Sequence, residues 1–190
     1  MDWDPFRLET LDGQGMGESQ FYEMAQLHHE VFTRPGRTLE DVAARRRAVL
    51  LLESANLAPR CYLLYDGDRI VAKAETFFRD VITSEGLMTV MALSGVALQL
   101  DLRGRGLGAA IVRVAFERLD DGQARFCLFQ TTEVIRPFYE RLEACVVGNS
   151  VVNRSKEVPE APAFWQAVLM RYPAVGCWPT GPINLQGPGW

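Results

Sequence analysis

The chain has 190 residues, 48% hydrophobic and 23% charged, and its 24 acidic residues outweigh 20 basic ones to give a formal net charge of −4. That length supports one domain with a sizeable core that needs no disulfide or metal staple, and the acidic balance argues against nucleic acid as a partner while mildly favouring cationic ligands. The longest apolar run, Val49 to Leu52, is far too short to span a bilayer, and Met1-Asp2-Trp3-Asp4-Pro5 lacks a charged-then-apolar leader, so a cytoplasmic protein with no membrane partner is expected.

In chain order, Phe6 to Leu11 alternates apolar and polar residues and predicts a strand, which Gly13, Gly15 and Gly17 break into a loop. Phe21, Met24, Ala25, His28, Val31 and Phe32 recur at helical spacing, and Arg34-Pro35-Gly36 ends that helix. Thr38 followed by Glu40 and Asp41 caps a second helix running to about Ala55. Cys61 to Tyr65 and Arg69 to Phe78 flank Asp66-Gly67-Asp68 as a β-hairpin. A third long strand runs from about Leu87 to Leu100, with Ser94-Gly95 marking a bulge or a close backbone approach.

Gly106 to Leu119 predicts a helix with a wide buried face, Phe126 to Gln130 a short buried strand, and Glu133 to Glu143 a helix capped by Thr132 with Pro137 late in its opening turns. Cys145 to Val152 and Ala167 to Tyr172 supply two further strands. The fold class is α/β, a mixed domain without internal repeats.

The four cysteines, Cys61, Cys127, Cys145 and Cys177, are widely separated, so buried free thiols are expected and no metal site. His28-His29-Glu30 lacks metal-ligand spacing; His28 is read as packed and His29 as exposed. Arg45-Arg46-Arg47 reads as a solvated face. Only Lys73 and Lys156 are lysines among the 20 basic residues, a bias that carries no mechanistic message here.

The most informative stretch is Val96-Ala97-Leu98-Gln99-Leu100-Asp101-Leu102-Arg103-Gly104-Arg105-Gly106-Leu107-Gly108-Ala109, a strand that passes through a glycine-rich turn into a helix. Gly104, Gly106 and Gly108 keep side chains away from a bulky anion, backbone amides converge, and the helix amino terminus adds about half a positive charge. Arg103 and Arg105 add forked donors for phosphate oxygens, so the stretch predicts a pyrophosphate site. A nucleotide P-loop would require Gly-Lys-Ser/Thr where Gly108-Ala109-Ala110 stands, and a dinucleotide site would want an acid where Phe129-Gln130 stands.

Arg103 to Gly108 matches R-x-x-G-x-G, and together with Phe138-Tyr139-Glu140-Arg141-Leu142 it resembles the GNAT superfamily of N-acetyltransferases over about Cys61 to Tyr172. The resemblance implies a mixed, mostly antiparallel central sheet with a splayed central pair of strands and helices on both faces. It implies acetyl-CoA as acyl donor, its pyrophosphate bound by Arg103, Gly104, Arg105, Gly106, Leu107, Gly108 and Ala109. Backbone groups of Val96, Ala97 and Leu98 would pair with the pantetheine arm and the thioester oxygen. Tyr139 would be the acid that protonates the departing thiolate. Thr132 stands where many members have asparagine, which weakens the expectation of cofactor contacts there.

No acidic residue lies between Leu87 and Leu100, so the candidate bases for the acceptor amine are Glu75, Asp80, Glu85 and Glu133. Glu75 ranks first, because apolar neighbours in Ala74-Glu75-Thr76-Phe77 would raise its pKa; a solvent-facing glutamate on an alternating strand fits the same pattern. The stretch Pro173 to Trp190 has no charged side chain. It is expected to form an extension (173–190) on a catalytic domain (1–172), anchored by Trp178, Ile183 and Leu185, walling the acceptor pocket and offering the Trp190 carboxylate to a substrate ammonium. The expected partner is a small-molecule amine, with a homodimer as an allowed assembly. A catalytically silent acyl-CoA-binding module remains the alternative from another class.

Overall fold

The computed structural model describes residues 4–32, 35–52, 56–154 and 163–190. Nine strands and four α-helices follow in the order β1 (Arg7–Asp12), α1 (Glu18–Val31), α2 (Leu39–Arg47), β2 (Leu57–Asp66), β3 (Arg69–Thr83), β4 (Gly86–Leu98), α3 (Leu107–Glu117), β5 (Cys127–Thr131), α4 (Arg136–Glu140), β6 (Cys145–Val146), β7 (Val151–Val152), β8 (Val168–Tyr172) and β9 (Ile183–Asn184) among the described residues. Neighbouring strands run β1-β2-β3-β4-β5-β8-β6, and β9 pairs with both β3 and β7. The sheet is mixed and mostly antiparallel, as the sequence implied.

The chain divides into two compact units, Met1–Phe77 with Ser94–Ala115, and Phe78–Leu93 with Phe116–Trp190. In the first, β1 pairs antiparallel with β2 from Arg7↔Tyr65 to Asp12↔Arg60. Helix α1 buries Phe21, Met24, Ala25 and Leu27, a spacing of three and four residues that puts them on one stripe. That stripe joins Cys61, Leu63 and Tyr65, alternate residues of β2, in one apolar cluster with Ile70 and Ala97. Helix α2 starts with a capping box in which Asp41 N donates to Thr38 Oγ1 at 3.2 Å and Thr38 N to Asp41 Oδ2 at 2.9 Å. The expected helix ends at Arg47, and Ala48–Leu52 winds on as a wider π turn.

In the second unit, β4 and β5 run parallel and pair at Met91↔Cys127 and Ala92↔Leu128, while β5 continues along β8 as far as Thr131↔Val168. The apolar run Cys127-Leu128-Phe129 is fully buried, as a strand covered on both faces requires. Phe116 stacks on Tyr172 with ring centroids 3.9 Å apart.

Several sequence expectations change here. Helix α4 starts at Arg136, so Pro137 lies in the first turn, where its missing N–H removes no helical hydrogen bond. Thr132 does not cap that helix; its Oγ1 accepts from Ile135 N at 3.3 Å in the turn that precedes it. Cys145 to Val152 forms two short strands separated by Gly148 rather than one. Cys61 and Cys127 are buried, but Cys145 is half-buried and Cys177 exposed. His29 is half-buried like His28, whose ring lies 4.6 Å from Phe32.

Residues 173–190 are tied down mainly through backbone groups. Ile183 N donates to Ser150 O and Leu185 N to Val152 O, both at 2.9 Å, so β9 extends β7 in parallel, and Ile183 and Leu185 are fully buried. Trp178 is half-buried, with its indole N–H on Asn149 Oδ1 at 2.7 Å. Trp190 is 3% exposed; its indole N–H donates to Leu128 O at 3.1 Å, and the Arg79 guanidinium lies 4.8 Å from the centre of its ring. A side chain at Gly189 would place Cβ 1.5 Å from the Ala163 carbonyl oxygen. Gly189→Ala is therefore expected to lower stability by roughly 1–3 kcal/mol, the usual range for overpacking, which urea unfolding will measure against the wild type.

Candidate active site

The loop expected to hold a pyrophosphate leads from β4 into α3. Gly104 and Gly106 adopt φ of 81° and 83°, a region that side-chain-bearing residues rarely occupy. Nothing lies within 4 Å of where a Cβ would stand at either, so the loop is open on the side the glycines face. Arg103, Gly104, Arg105 and Gly106 are exposed, and Leu107, Gly108 and Ala109 form the half-buried first turn of α3, whose ladder begins with Ala110 N donating to Gly106 O at 3.0 Å. Positive-φ glycines lead here into an eleven-residue helix, a combination of loop and helix amino terminus that suits an anion.

Upstream on β4, Gly95 adopts φ of 58°, so the interruption read from Ser94-Gly95 is a conformational break within the strand. The strand resumes through Val96, Ala97 and Leu98; Ala97 faces the apolar cluster, and Val96 and Leu98 are half-buried. Gln99 N donates to Val71 O at 2.9 Å, which keeps this end of β4 against β3.

Behind Gly95 lies a buried ionic cluster. Lys73 and Glu75, two residues apart on β3, project from the same face of the pleat, and both are 0% exposed. Lys73 Nζ donates to Glu75 Oε1 in a direct ion pair. From α2, Arg46 Nη1 donates to Glu75 Oε2 at 2.9 Å and to Ser94 Oγ at 3.2 Å. A Cβ at Gly95 would come within 2.6 Å of Glu75 Oε1 and 2.7 Å of Lys73 Nζ, so glycine supplies both the positive φ and the room in which the ion pair forms.

This geometry overturns three sequence readings. Arg46 is 6% exposed, because the middle member of Arg45-Arg46-Arg47 turns into the core instead of sharing a solvated face. Glu75 is not solvent-facing. Nor is its pKa raised: burial alone would raise it, but the charges of Lys73 and Arg46 and the Lys73 hydrogen bond outweigh burial and hold the carboxyl at about 2. Lys73 was passed over as a compositional accident, although a lysine and a glutamate spaced i, i+2 in an otherwise apolar strand was the available signal. Burial pushes its ammonium below the ordinary lysine range, against the opposing pull of Glu75.

Of the other candidate bases, Asp80 Oδ1 accepts from Thr89 Oγ1 at 2.6 Å, Glu133 is exposed beside Arg136 at 3.5 Å, and Glu85 is exposed in the turn between β3 and β4. In the second unit, Tyr139 is 6% exposed on α4, its ring 4.6 Å from that of Phe129, and burial raises its phenol above the ordinary tyrosine value. Gln130, a further residue that the sequence reading did not single out, joins three strands of chain: its Oε1 accepts from Trp165 N and Gln166 N at 3.0 and 2.9 Å, and its Nε2 donates to the Trp190 carbonyl oxygen. Among the described residues, no group of three or more His, Cys, Asp or Glu could hold a metal ion.

The Glu75 carboxyl has a lower pKa folded than unfolded, so its contribution to stability is present above about 4.5 and is lost as the pH falls towards about 2. Urea unfolding at pH 7, 4.5 and 2.5 is expected to show an acid loss that is smaller in Glu75→Gln than in the wild type, by up to roughly 3 kcal/mol.

A family model described as an acetyltransferase (GNAT) domain matches residues 14–146. No curated protein matches the chain by sequence. Similar solved structures include Escherichia coli ElaA, 14% identical over 87% of this chain and 98% of that one with a TM-score of 0.58, and an acyl-CoA N-acyltransferase from Pseudomonas aeruginosa, 15% identical over the same shares with a TM-score of 0.59. An aminoglycoside acetyltransferase from an uncultured soil metagenomic sample, in complex with sisomicin, is 12% identical over 73% of this chain and 86% of that one, with a TM-score of 0.56. The signature loop, the break in β4, the mixed sheet and the family match agree: the chain belongs to the GNAT acetyltransferase family.

Proposed function

We propose that the protein transfers an acetyl group from acetyl-CoA to the primary amine of a small molecule, by direct attack within a ternary complex. The observation that carries this reading is the open loop Arg103 to Ala109, whose two positive-φ glycines feed exposed amides into the start of α3. Those amides and the guanidinium groups of Arg103 and Arg105 hold the cofactor pyrophosphate. Backbone groups of Val96, Ala97 and Leu98 receive the pantetheine arm and the thioester carbonyl, where amide donors fixed in advance stabilise charge as it forms on oxygen.

Tyr139 protonates the thiolate as the carbon–sulfur bond breaks. The phenol is protonated at neutral pH, and because burial raises its pKa it is a weaker acid than a free tyrosine, so transfer requires the full negative charge of the departing sulfur. Glu75 loses the raised pKa on which its role as base rested; paired with two cations, it is a weak proton acceptor and serves instead to organise the charges behind Gly95. Thr132, whose hydroxyl oxygen accepts from Ile135 N and keeps its own O–H to donate, is the further residue proposed beside the cofactor. The acidic balance of the chain favours a cationic acceptor, and one structurally similar protein is an aminoglycoside acetyltransferase in complex with sisomicin.

Calorimetric titration with acetyl-CoA, followed by turnover on a panel of amino sugars, polyamines, amino acids and peptides, tests the proposal; binding without turnover on any acceptor would favour a silent acyl-CoA-binding module. Gly106→Val puts a β-branched residue at φ 83° and is expected to abolish acetyl-CoA binding in the same titration. Tyr139→Phe is expected to lower kcat by about 10²-fold or more while leaving the dissociation constant for acetyl-CoA within about threefold; an unchanged kcat would remove Tyr139 from the reaction.

A further inference from the structure

The cluster behind Gly95 holds two cations and one anion. Arginine does not give up its proton in a protein, and Glu75 is ionised above about pH 2, so with Lys73 protonated the three side chains sum to one positive charge. Charge balance alone does not call for that surplus. Arg46 and Glu75, 2.9 Å apart, already form a balanced pair, and a second buried cation adds a desolvation cost that packing a methionine there would avoid. The surplus charge is also specifically placed, since Lys73 Nζ lies in the space that a Cβ of Gly95 would need, and the next residue is Val96.

Resting on the acetyltransferase reading above, we propose that Lys73 is a positioning residue for acyl transfer: its ammonium, packed against Gly95, supplies positive potential through the Gly95–Val96 peptide to the thioester carbonyl oxygen. When the amine nitrogen bonds to the thioester carbon, the carbonyl π pair moves to oxygen and forms an oxyanion. That charge is steadied by the surplus cation until the pair returns. The carbon–sulfur bond then breaks, the thiolate takes the Tyr139 proton, the nitrogen releases its extra proton to water, and water returns a proton to the Tyr139 phenolate. An oxyanion forming beside a fixed positive charge in a dry site requires no reorganisation at the moment of reaction.

The groups that face Lys73 define its pH behaviour. Glu75 lies on its own strand, Arg46 reaches in from α2 and Cys61 from β2, Ser94 bonds Arg46 from β4, and the charge of His28 on α1 reaches Glu75. Burial lowers the Lys73 pKa in the folded chain, so the surplus charge that its ion pair with Glu75 holds is lost as the pH rises through a value below the ordinary lysine range.

The test is Lys73→Met, read by kcat, by the acetyl-CoA dissociation constant, by Tm and by the infrared carbonyl stretch of bound acetyl-CoA labelled with 13C at the carbonyl. The expected result is a kcat lower by about ten- to a hundredfold, less than the loss of a direct oxyanion donor. The dissociation constant stays within threefold even where Tm falls through the lost Lys73–Glu75 contact, and the carbonyl stretch moves back towards its value in water. If kcat and the carbonyl stretch are unchanged, the role is overturned. It is equally overturned if kcat, affinity and Tm all fall together, the mark of a merely structural lysine. Should the variant fail to fold, the wild-type carbonyl stretch between pH 7 and 10 decides: it must move upward as Lys73 loses its proton, and a constant stretch overturns the proposal. Failure of the wild type to bind acetyl-CoA would overturn the acetyltransferase reading itself, whereas turnover with an unperturbed carbonyl would overturn the Lys73 role alone.

Discussion

The first unit is organised around the removal of Arg46, Lys73 and Glu75 from water. Each ionised group taken into the interior costs several kcal/mol even after relaxation, and only close, well-directed partners offset that cost. The local sequence therefore has little freedom. Position 46 must reach from α2 to β3, position 94 must offer an acceptor to the guanidinium, and position 95 must lack a side chain. The break in β4 is thus more than a local turn preference, because it is the form the strand takes when it passes an ion pair that occupies the space of its own side chain.

Glycine serves opposite ends at the two parts of the candidate site. At Gly104 and Gly106 the space beyond the backbone is empty, and the absence of side chains leaves amides open to a ligand. At Gly95 that space is filled by charged atoms of the protein itself. One arrangement recruits the cofactor's charge from outside; the other stores charge inside. Both rely on backbone conformations that other residues adopt with difficulty.

Much of this was legible in the sequence. The signature loop, the hairpin, the interruption at Ser94-Gly95 and the helix α1 all follow from spacing and turn chemistry, which act over a few residues. What escaped depends on distant partners. Arg46 reads as one of three surface arginines until Glu75, 29 residues away, shows where it turns, and the direction of the Glu75 pKa depends on cations that periodicity cannot rank. The start of α4 was misplaced because Thr132 looked like a cap, although the turn that it closes belongs to the preceding loop. Cys145 to Val152 looked like one strand because alternation is blind to which partner a strand pairs with; β6 joins β8 and β7 joins β9.

Gln130 clasps the segments around Trp165 and Trp190 with a side chain whose two ends are of opposite polarity, the oxygen taking two backbone N–H groups and the nitrogen giving to a carbonyl. Such a clasp reads direction as well as position. A carbonyl turned towards the amide oxygen, or an N–H turned towards the amide nitrogen, would repel. The Trp190 segment is therefore located by a discriminating contact rather than by apolar area alone, and a sequence whose last described stretch has no charged side chain still finds a single seat.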